Sequence, residues 1–270
     1  MYKIIVLVDN HVMPGLLTEH GFSLLIQINH HTILFDTGAG NALLPNLEAL
    51  KINPTTFTHL IFSHGHNDHT GGLANLMLKY TLPNIKAYIP KGLTDPCFSN
   101  HADGYVHDIS MPKADQEALR KIPSQIIDKF TQIEPEFFLT GPIPRQSGEP
   151  TGGDFYKDKA CAIVHTIDEE QTLLLSNGVL ISGCCHAGII NTVEFCKKTH
   201  PEIKIHTILG GLHLRRAPES RLKQTADYLN TLNLQRLFLF HCTGDSAAQY
   251  LIEHVHCDTQ LGKAGDIITE

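Results

Sequence analysis

The sequence predicts an α+β domain in which short buried strands end in polar clusters able to bind metal. Three observations lead there. Apolar runs of strand length alternate with segments of helical period. Four of those runs stop at chemically loaded residues: Asp36, the stretch from His64 to His69, His186 and His241. Histidine is unusually frequent, with 18 in 270 residues, so position has to separate ligands from ordinary surface and core histidines.

Residues 1–10 begin with an apolar run that reads as a first strand. It is too short for a signal peptide or a membrane span and lacks a small-residue cleavage site. Residues 24–28 and 32–35 form a hairpin about Asn29-His30-His31, and 41–50 carry a helical period. Residues 60–62 make a buried strand, 73–78 a short helix and 85–89 another strand. The pattern weakens from 91 to 145. There 122–130 reads as helical, 137–139 as a strand, and Gly141-Pro142-Ile143-Pro144-Arg145 as a rigid turn. His101, His107 and Asp108 fall in this stretch as loop residues and not ligands. Order returns at 160–167. A hairpin of 172–175 and 179–182 then turns at Asn177-Gly178. A helix at 189–198, a strand at 203–209, a helix at 219–232 and a strand at 237–240 follow.

No linker or low-complexity tract divides the chain, so residues 1–270 read as one domain. An apolar content of 42% supports a sizeable core, and a net charge of −7 argues against general nucleic-acid binding. Seven scattered cysteines, including the adjacent Cys184-Cys185, show no disulfide framework and point to a reducing cytoplasm.

The densest chemistry lies in Ser63-His64-Gly65-His66-Asn67-Asp68-His69. His64 and His66 share a side in an extended turn. Asp68 and His69 sit far enough along to face a second ion or the open side of the first. Imidazoles with a carboxylate suit zinc, iron or manganese. Asp36 closes an earlier strand, either as a partner that orients a ligand imidazole or as a turn residue.

His64-Gly65-His66-Asn67-Asp68-His69 resembles the H-x-H-x-D-H signature of the metallo-β-lactamase superfamily. The resemblance implies a four-layer αββα sandwich (the metallo-β-lactamase fold) of mostly antiparallel sheets, with the metal site at one sheet edge. Further stretches are similar to one subgroup, the 7,8-dihydropterin-6-methyl-4-(β-D-ribofuranosyl)-aminobenzene-5′-phosphate synthases. They are Glu19 to Ser23, Ile33 to Gly38, Leu139 to Arg145, Ser182 to Gly188, Gly210 to Leu214 and His241 to Gly244. The superfamily's bridging aspartate has no counterpart at Gly183-Cys184-Cys185-His186. Either Cys184 takes that place, as a ligand or lining the site, or His186 serves alone.

These readings imply one or two divalent ions, zinc foremost. One would sit on His64, His66 and His186, and a second on Asp68, His69 and His241. The expected activity is a metal-dependent hydrolase acting on a small phosphorylated or ester-type metabolite through a metal-bound hydroxide oriented by Asp68. His213 is the candidate proton donor. Glu19, His20 and Arg145 are the candidates for holding an anionic substrate, with structural roles open for His20, His213 and Arg145. The alternatives are the synthase chemistry of the subgroup and a metal-binding sensor or redox partner. No membrane association is expected.

Overall fold

The computed structural model describes residues 1–100, 104–150 and 153–269, so His101 lies outside the described residues. The chain forms two compact units and passes between them repeatedly. The first comprises residues 1–126, 154–166 and 263–270; the second comprises 127–153 and 167–262.

The first unit is built on β1 (Tyr2–Val8), β2 (Ser23–Ile28), β3 (His31–Phe35), β4 (His59–Ile61), β5 (Lys86–Pro90), β8 (Ser124–Ile127) and β17 (Ile267–Thr269). Their order in the sheet is β17-β1-β2-β3-β4-β5-β8. A three-stranded sheet of β11 (Phe155–Tyr156), β6 (Phe98–Asn100) and β7 (Val106–Asp108) accompanies it. Helices α1 (Leu43–Ala49), α3 (Leu73–Lys79) and α4 (Lys113–Leu119) pack Leu43, Leu47, Leu73, Leu76 and Leu119 onto Leu7, Leu25, Leu34 and Leu60 of the large sheet. The alternate residues of the same strands, among them Ile4, Val6, Leu24, Ile26 and Ile33, are buried as well. Burial on both faces explains why these strands read as continuous apolar runs and not as alternating ones.

The second unit repeats the plan with β9 (Thr131–Glu134), β10 (Phe137–Leu139), β12 (Leu173–Leu175), β13 (Val179–Ser182), β14 (Thr207–Gly210), β15 (Arg236–Leu239) and β16 (Asp258–Leu261). The order is β16-β15-β14-β13-β12-β10-β9. Helices α5 (Ile189–Thr199), α6 (Glu219–Asn230) and α7 (Asp245–His254) set Val193, Leu229 and Leu251 against Leu174, Leu180, Ile208 and Leu237. Gly178 turns the β12–β13 hairpin with φ of 99°, and a Cβ there would lie 2.1 Å from the Lys204 carbonyl oxygen. Only glycine fits that approach.

Antiparallel pairs outnumber parallel ones among the described strands, as expected, yet parallel pairs form the part of each large sheet that carries the candidate residues. The hairpins are antiparallel, but β3, β4 and β5 run parallel, as do β13, β14, β15 and β16. Parallel neighbours need crossover connections, and helices supply them: α1 and α3 in the first unit, α5, α6 and α7 in the second. The strands that carry the candidate ligands are these parallel ones, so their carboxyl ends line up along one edge of each sheet.

Several expectations are corrected. Residues 122–130 hold β8 and no helix; Pro123 lacks an amide donor, and the β-branched Ile126 and Ile127 favour a strand. Residues 160–167 are irregular, with an isolated bridge from Tyr156 to Val164. His107 and Asp108 lie on β7, not in a loop.

Asn46 on α1 anchors the segment that leads to Glu19 and His20. Its Oδ1 accepts from the Leu17 amide at 2.7 Å, and its Nδ2 donates to the carbonyls of Leu7 and Leu17 at 2.7 and 2.8 Å. The bond to the Leu7 carbonyl is buried and the two to Leu17 are partly buried. Asn46→Leu is expected to lower unfolding free energy by about 2–4 kcal/mol, because several backbone groups lose their partners at once. Urea denaturation would measure it; a midpoint unchanged from wild type would show that these bonds do not hold the segment.

Candidate metal centre

In the first unit the site grows from two parallel strand ends. Asp36 follows β3 with φ of 56°, a left-handed conformation that costs a non-glycine residue energy. The turn aims its fully buried carboxylate at the residues after β4. It accepts from the Ser63 amide, the Ser63 hydroxyl and His69 Nδ1, each at 2.7 Å. Ser63 Oγ also lies 2.9 Å from His64 Nδ1. A hydroxyl has one proton. Given to Asp36, it leaves Ser63 Oγ to accept from His64 Nδ1–H. The network therefore sets one tautomer in both imidazoles, with Nε2 of His64 and of His69 as the basic nitrogens. The His64 ring lies 4.4 Å from that of His66 and 4.2 Å from that of His69, centroid to centroid.

The loop is tied down on every side. Thr37 donates its amide and its hydroxyl to the His69 carbonyl at 2.6 and 3.1 Å. The Asn67 amide donates to Ile109 at 2.8 Å, and that of Phe22 to the Asp68 carbonyl at 3.1 Å. Gly65 passes so near Leu93 that a Cβ would sit 2.5 Å from its carbonyl oxygen. The Asn67–Thr70 turn is α2, and His66 stands at its start. His66 Nε2 lies 3.4 Å from Cys97 Sγ, and its ring packs 5.0 Å from Phe155. His20 Nε2 reaches Asp68 Oδ2 at 3.3 Å while Asn10 Nδ2 contacts its Nδ1 at 3.3 Å. An amide nitrogen only donates, so His20 Nδ1 accepts and Nε2–H points at the Asp68 carboxylate.

In the second unit three parallel strands end side by side. β13 runs into Gly183-Cys184-Cys185-His186, β14 into Gly211-Leu212-His213, and β15 into Phe240-His241-Cys242. Cys185, His213 and His241 all take left-handed φ, at 58°, 49° and 46°. Strained residues gather where side chains must be aimed against the ordinary course of the chain. The His186 and His213 rings lie 4.3 Å apart. Behind them the buried Glu170 accepts from the Ala187 amide at 2.9 Å. Burial pushes its carboxyl up to about 7, against the pull of the Ala187 and His186 amides. The Cys242 thiol is raised by burial, yet hydrogen bonding from Cys184 and His213 and the nearby His241 hold it well below the usual thiol range.

The sequence profile of the metallo-beta-lactamase superfamily matches residues 18–155, which contain every candidate ligand of the first unit. The chain belongs to that superfamily. An uncharacterized protein of Methanocaldococcus jannaschii is 32% identical over 90% of this chain and 91% of its own. The 7,8-dihydropterin-6-methyl-4-(beta-D-ribofuranosyl)-aminobenzene-5′-phosphate synthase of the same organism is 27% identical over 93% of this chain and 90% of its own. A crystal structure of a metal-dependent hydrolase of the beta-lactamase superfamily overlays 100% of this chain and 99% of that one, with a TM-score of 0.86 and 27% identity. The fold is that of the metallo-β-lactamases.

Other sequence candidates take clear places. Glu19 directs its carboxylate at four consecutive amides, Ala39, Gly40, Asn41 and Ala42, at 2.8 to 3.3 Å. It braces the chain entering α1, a role the sequence reading did not assign it. Arg145 donates to the Ile167 carbonyl at 3.4 Å and stands 4.0 Å from Asp168 Oδ1. Ser63, Cys97, Glu170 and Cys242 were not singled out. Ser63 and Cys242 each adjoin a flagged histidine at a strand end, and that adjacency was the available signal.

Asp36→Asn removes the acceptor that fixes the His69 tautomer and places an amide among donors. We expect metal affinity to fall about 10- to 100-fold, with far-ultraviolet circular dichroism unchanged. Competition with a chromophoric chelator measures it. Undiminished affinity would mean that the Asp36 network does not prepare the imidazoles for metal.

Proposed function

We propose that the protein is a metal-dependent hydrolase of a small, anionic, phosphorylated or ester-type metabolite. The observation that carries this reading is the Asp36–Ser63 network, which presents basic nitrogens of His64 and His69 from a buried, rigid loop. Imidazole and carboxylate donors of this kind fit zinc, iron or manganese. The proposed ligand set remains His64, His66 and His186 for one ion, and Asp68, His69 and His241 for a second. When bound, a divalent ion supplies Lewis-acid polarisation of a substrate oxygen and lowers the pKa of water toward neutrality.

The chain's own groups supply proton handling. Asp68 is only partly buried, and its carboxylate is oriented by His20 Nε2. It takes the proton from the attacking water and passes it on as the new bond to phosphorus or carbon forms and the bond to the leaving oxygen breaks. His213 is the alternative donor to that leaving oxygen, and the proton taken up by Asp68 then goes to solvent. His20 is exposed enough to meet an anionic group as well as to hold Asp68.

Likeness over the full length to a metal-dependent hydrolase supports this reading. A second reading, synthase chemistry joining a pterin to an aminobenzene ribotide, is favoured by the name of the M. jannaschii relative. Among the described residues no helix is long and apolar enough to cross a membrane. A reducing cytoplasm is part of the proposal, supported by the scattered spacing of the cysteines.

Protein reconstituted separately with zinc, manganese or iron(II) should hydrolyse generic phosphodiesters or esters. Asp68→Asn should lower kcat/KM about 10²- to 10⁴-fold with metal content retained, and His64→Ala should lose both metal and turnover. Product formation only when pterin and ribotide are supplied together would overturn the hydrolase in favour of the synthase.

A further inference from the structure

The parallel ends of β13, β14 and β15 bring two sulfurs and an imidazole together within the second unit. Cys184 Sγ, Cys242 Sγ and a ring nitrogen of His213 all lie within 4.8 Å of one another. Cys184 and Cys242 are buried, and His213 is half-buried. We propose that these three residues form a thiolate-rich site for one soft metal ion, zinc or copper(I).

Metal–sulfur bonds of about 2.3 Å and metal–nitrogen bonds of about 2.0 Å place tetrahedral donors roughly 3.5–3.8 Å apart. The observed spacing closes onto an ion with side-chain shifts of about 1 Å. Each donor comes from a different strand end, so the backbone frame is fixed before any ion arrives. Gly211 makes the approach possible. A Cβ on it would lie 2.4 Å from Cys242 Sγ and 2.6 Å from the Gly183 carbonyl oxygen. Only a residue without a side chain lets the end of β14 run beside that sulfur. The left-handed turn at His213 follows directly, with φ of 49°.

Ordinary core cysteines look different in the same unit. Cys185 and Cys196, the latter on α5 itself, sit in the apolar core, where burial pushes the Cys196 thiol up to about 12. Cys184 and Cys242 instead face a ring nitrogen and each other at strand ends, and Cys242 Sγ points to the Cys184 carbonyl at 3.5 Å. Two thiolates with one neutral imidazole neutralise a divalent ion and leave a fourth position open. A sulfur-rich set selects zinc or copper(I) over manganese or magnesium. Ionised thiols are the ligands, so loading releases protons.

The three donors lie within the second unit, and an ion held there takes His213 as a ligand in place of its role as proton donor in the hydrolase reading. Cobalt(II) titrated into the full-length His64→Ala/His66→Ala variant should still give an intense near-ultraviolet thiolate charge-transfer band. The same titration of Cys242→Ser and Cys184→Ser should lose that band and one equivalent of metal. Zinc X-ray absorption of the double histidine variant should show sulfur scatterers at about 2.3 Å. His213→Gln keeps both sulfurs and should weaken binding without abolishing the band, which guards against misfolded cysteine variants. Absence of sulfur from the zinc shell, a cobalt band that survives Cys242→Ser, or a Cys184–Cys242 disulfide in the purified protein would each overturn the proposal.

Discussion

The buried carboxylate of Asp36 is the constraint on which the candidate centre depends. A carboxylate out of water needs hydrogen bonds to stay there. Asp36 receives three, two from Ser63 and one from His69. The left-handed turn at Asp36 costs roughly 1 kcal/mol or more. The turn persists because β3 and β4 are parallel neighbours and the Asp36 amide is itself bound to the Ile61 carbonyl at 2.9 Å. One residue thus joins two strand ends and sets the tautomer of two imidazoles. The chemistry of the loop is decided behind it, by a group that need never touch an ion.

The same logic explains why the candidates recur at strand ends. A crossover helix returns the chain to the same edge after each parallel strand, so every carboxyl end opens toward one side. The antiparallel hairpins on the outer parts of each sheet contribute core and little chemistry. Glycine and left-handed residues concentrate where the strands stop, at Asp36, Cys185, His213 and His241. There the extended backbone has to change direction within one residue, and each strained position redirects a donor or the residue next to it.

Much of this was legible in sequence because the candidate ligands of the first unit are contiguous and follow a buried strand. Their supports were less legible. Glu19 binds amides 20 or more residues away, and no local pattern marks a carboxylate spent on backbone. The strand at Ser124–Ile127 was read as helix because apolar spacing over a short window fits both periods; Pro123 and two adjacent isoleucines were the better guide. The helix α7 follows His241-Cys242-Thr243-Gly244 directly, and attention to that cluster hid the start signal in Gly244 and Asp245. The positions of the parallel pairs were not legible for a related reason. Hairpin turns such as Asn177-Gly178 announce antiparallel neighbours, whereas crossovers announce only a helix.

The two units offer metals different chemistry. Affinity alone cannot sort divalent ions, because its order is similar for most nitrogen, oxygen and sulfur sites. Donor type and prior organisation have to do it. The first unit presents imidazoles whose lone pairs are set in advance by Ser63 and Asp36, so ion capture there needs no proton to leave those rings. The second presents sulfur at Cys184 and Cys242 beside His213, where binding is linked to thiol ionisation and so to pH and oxidation. Occupancy of the imidazole loop is then set chiefly by geometry, and occupancy of the thiolate cluster by the redox state and acidity around it.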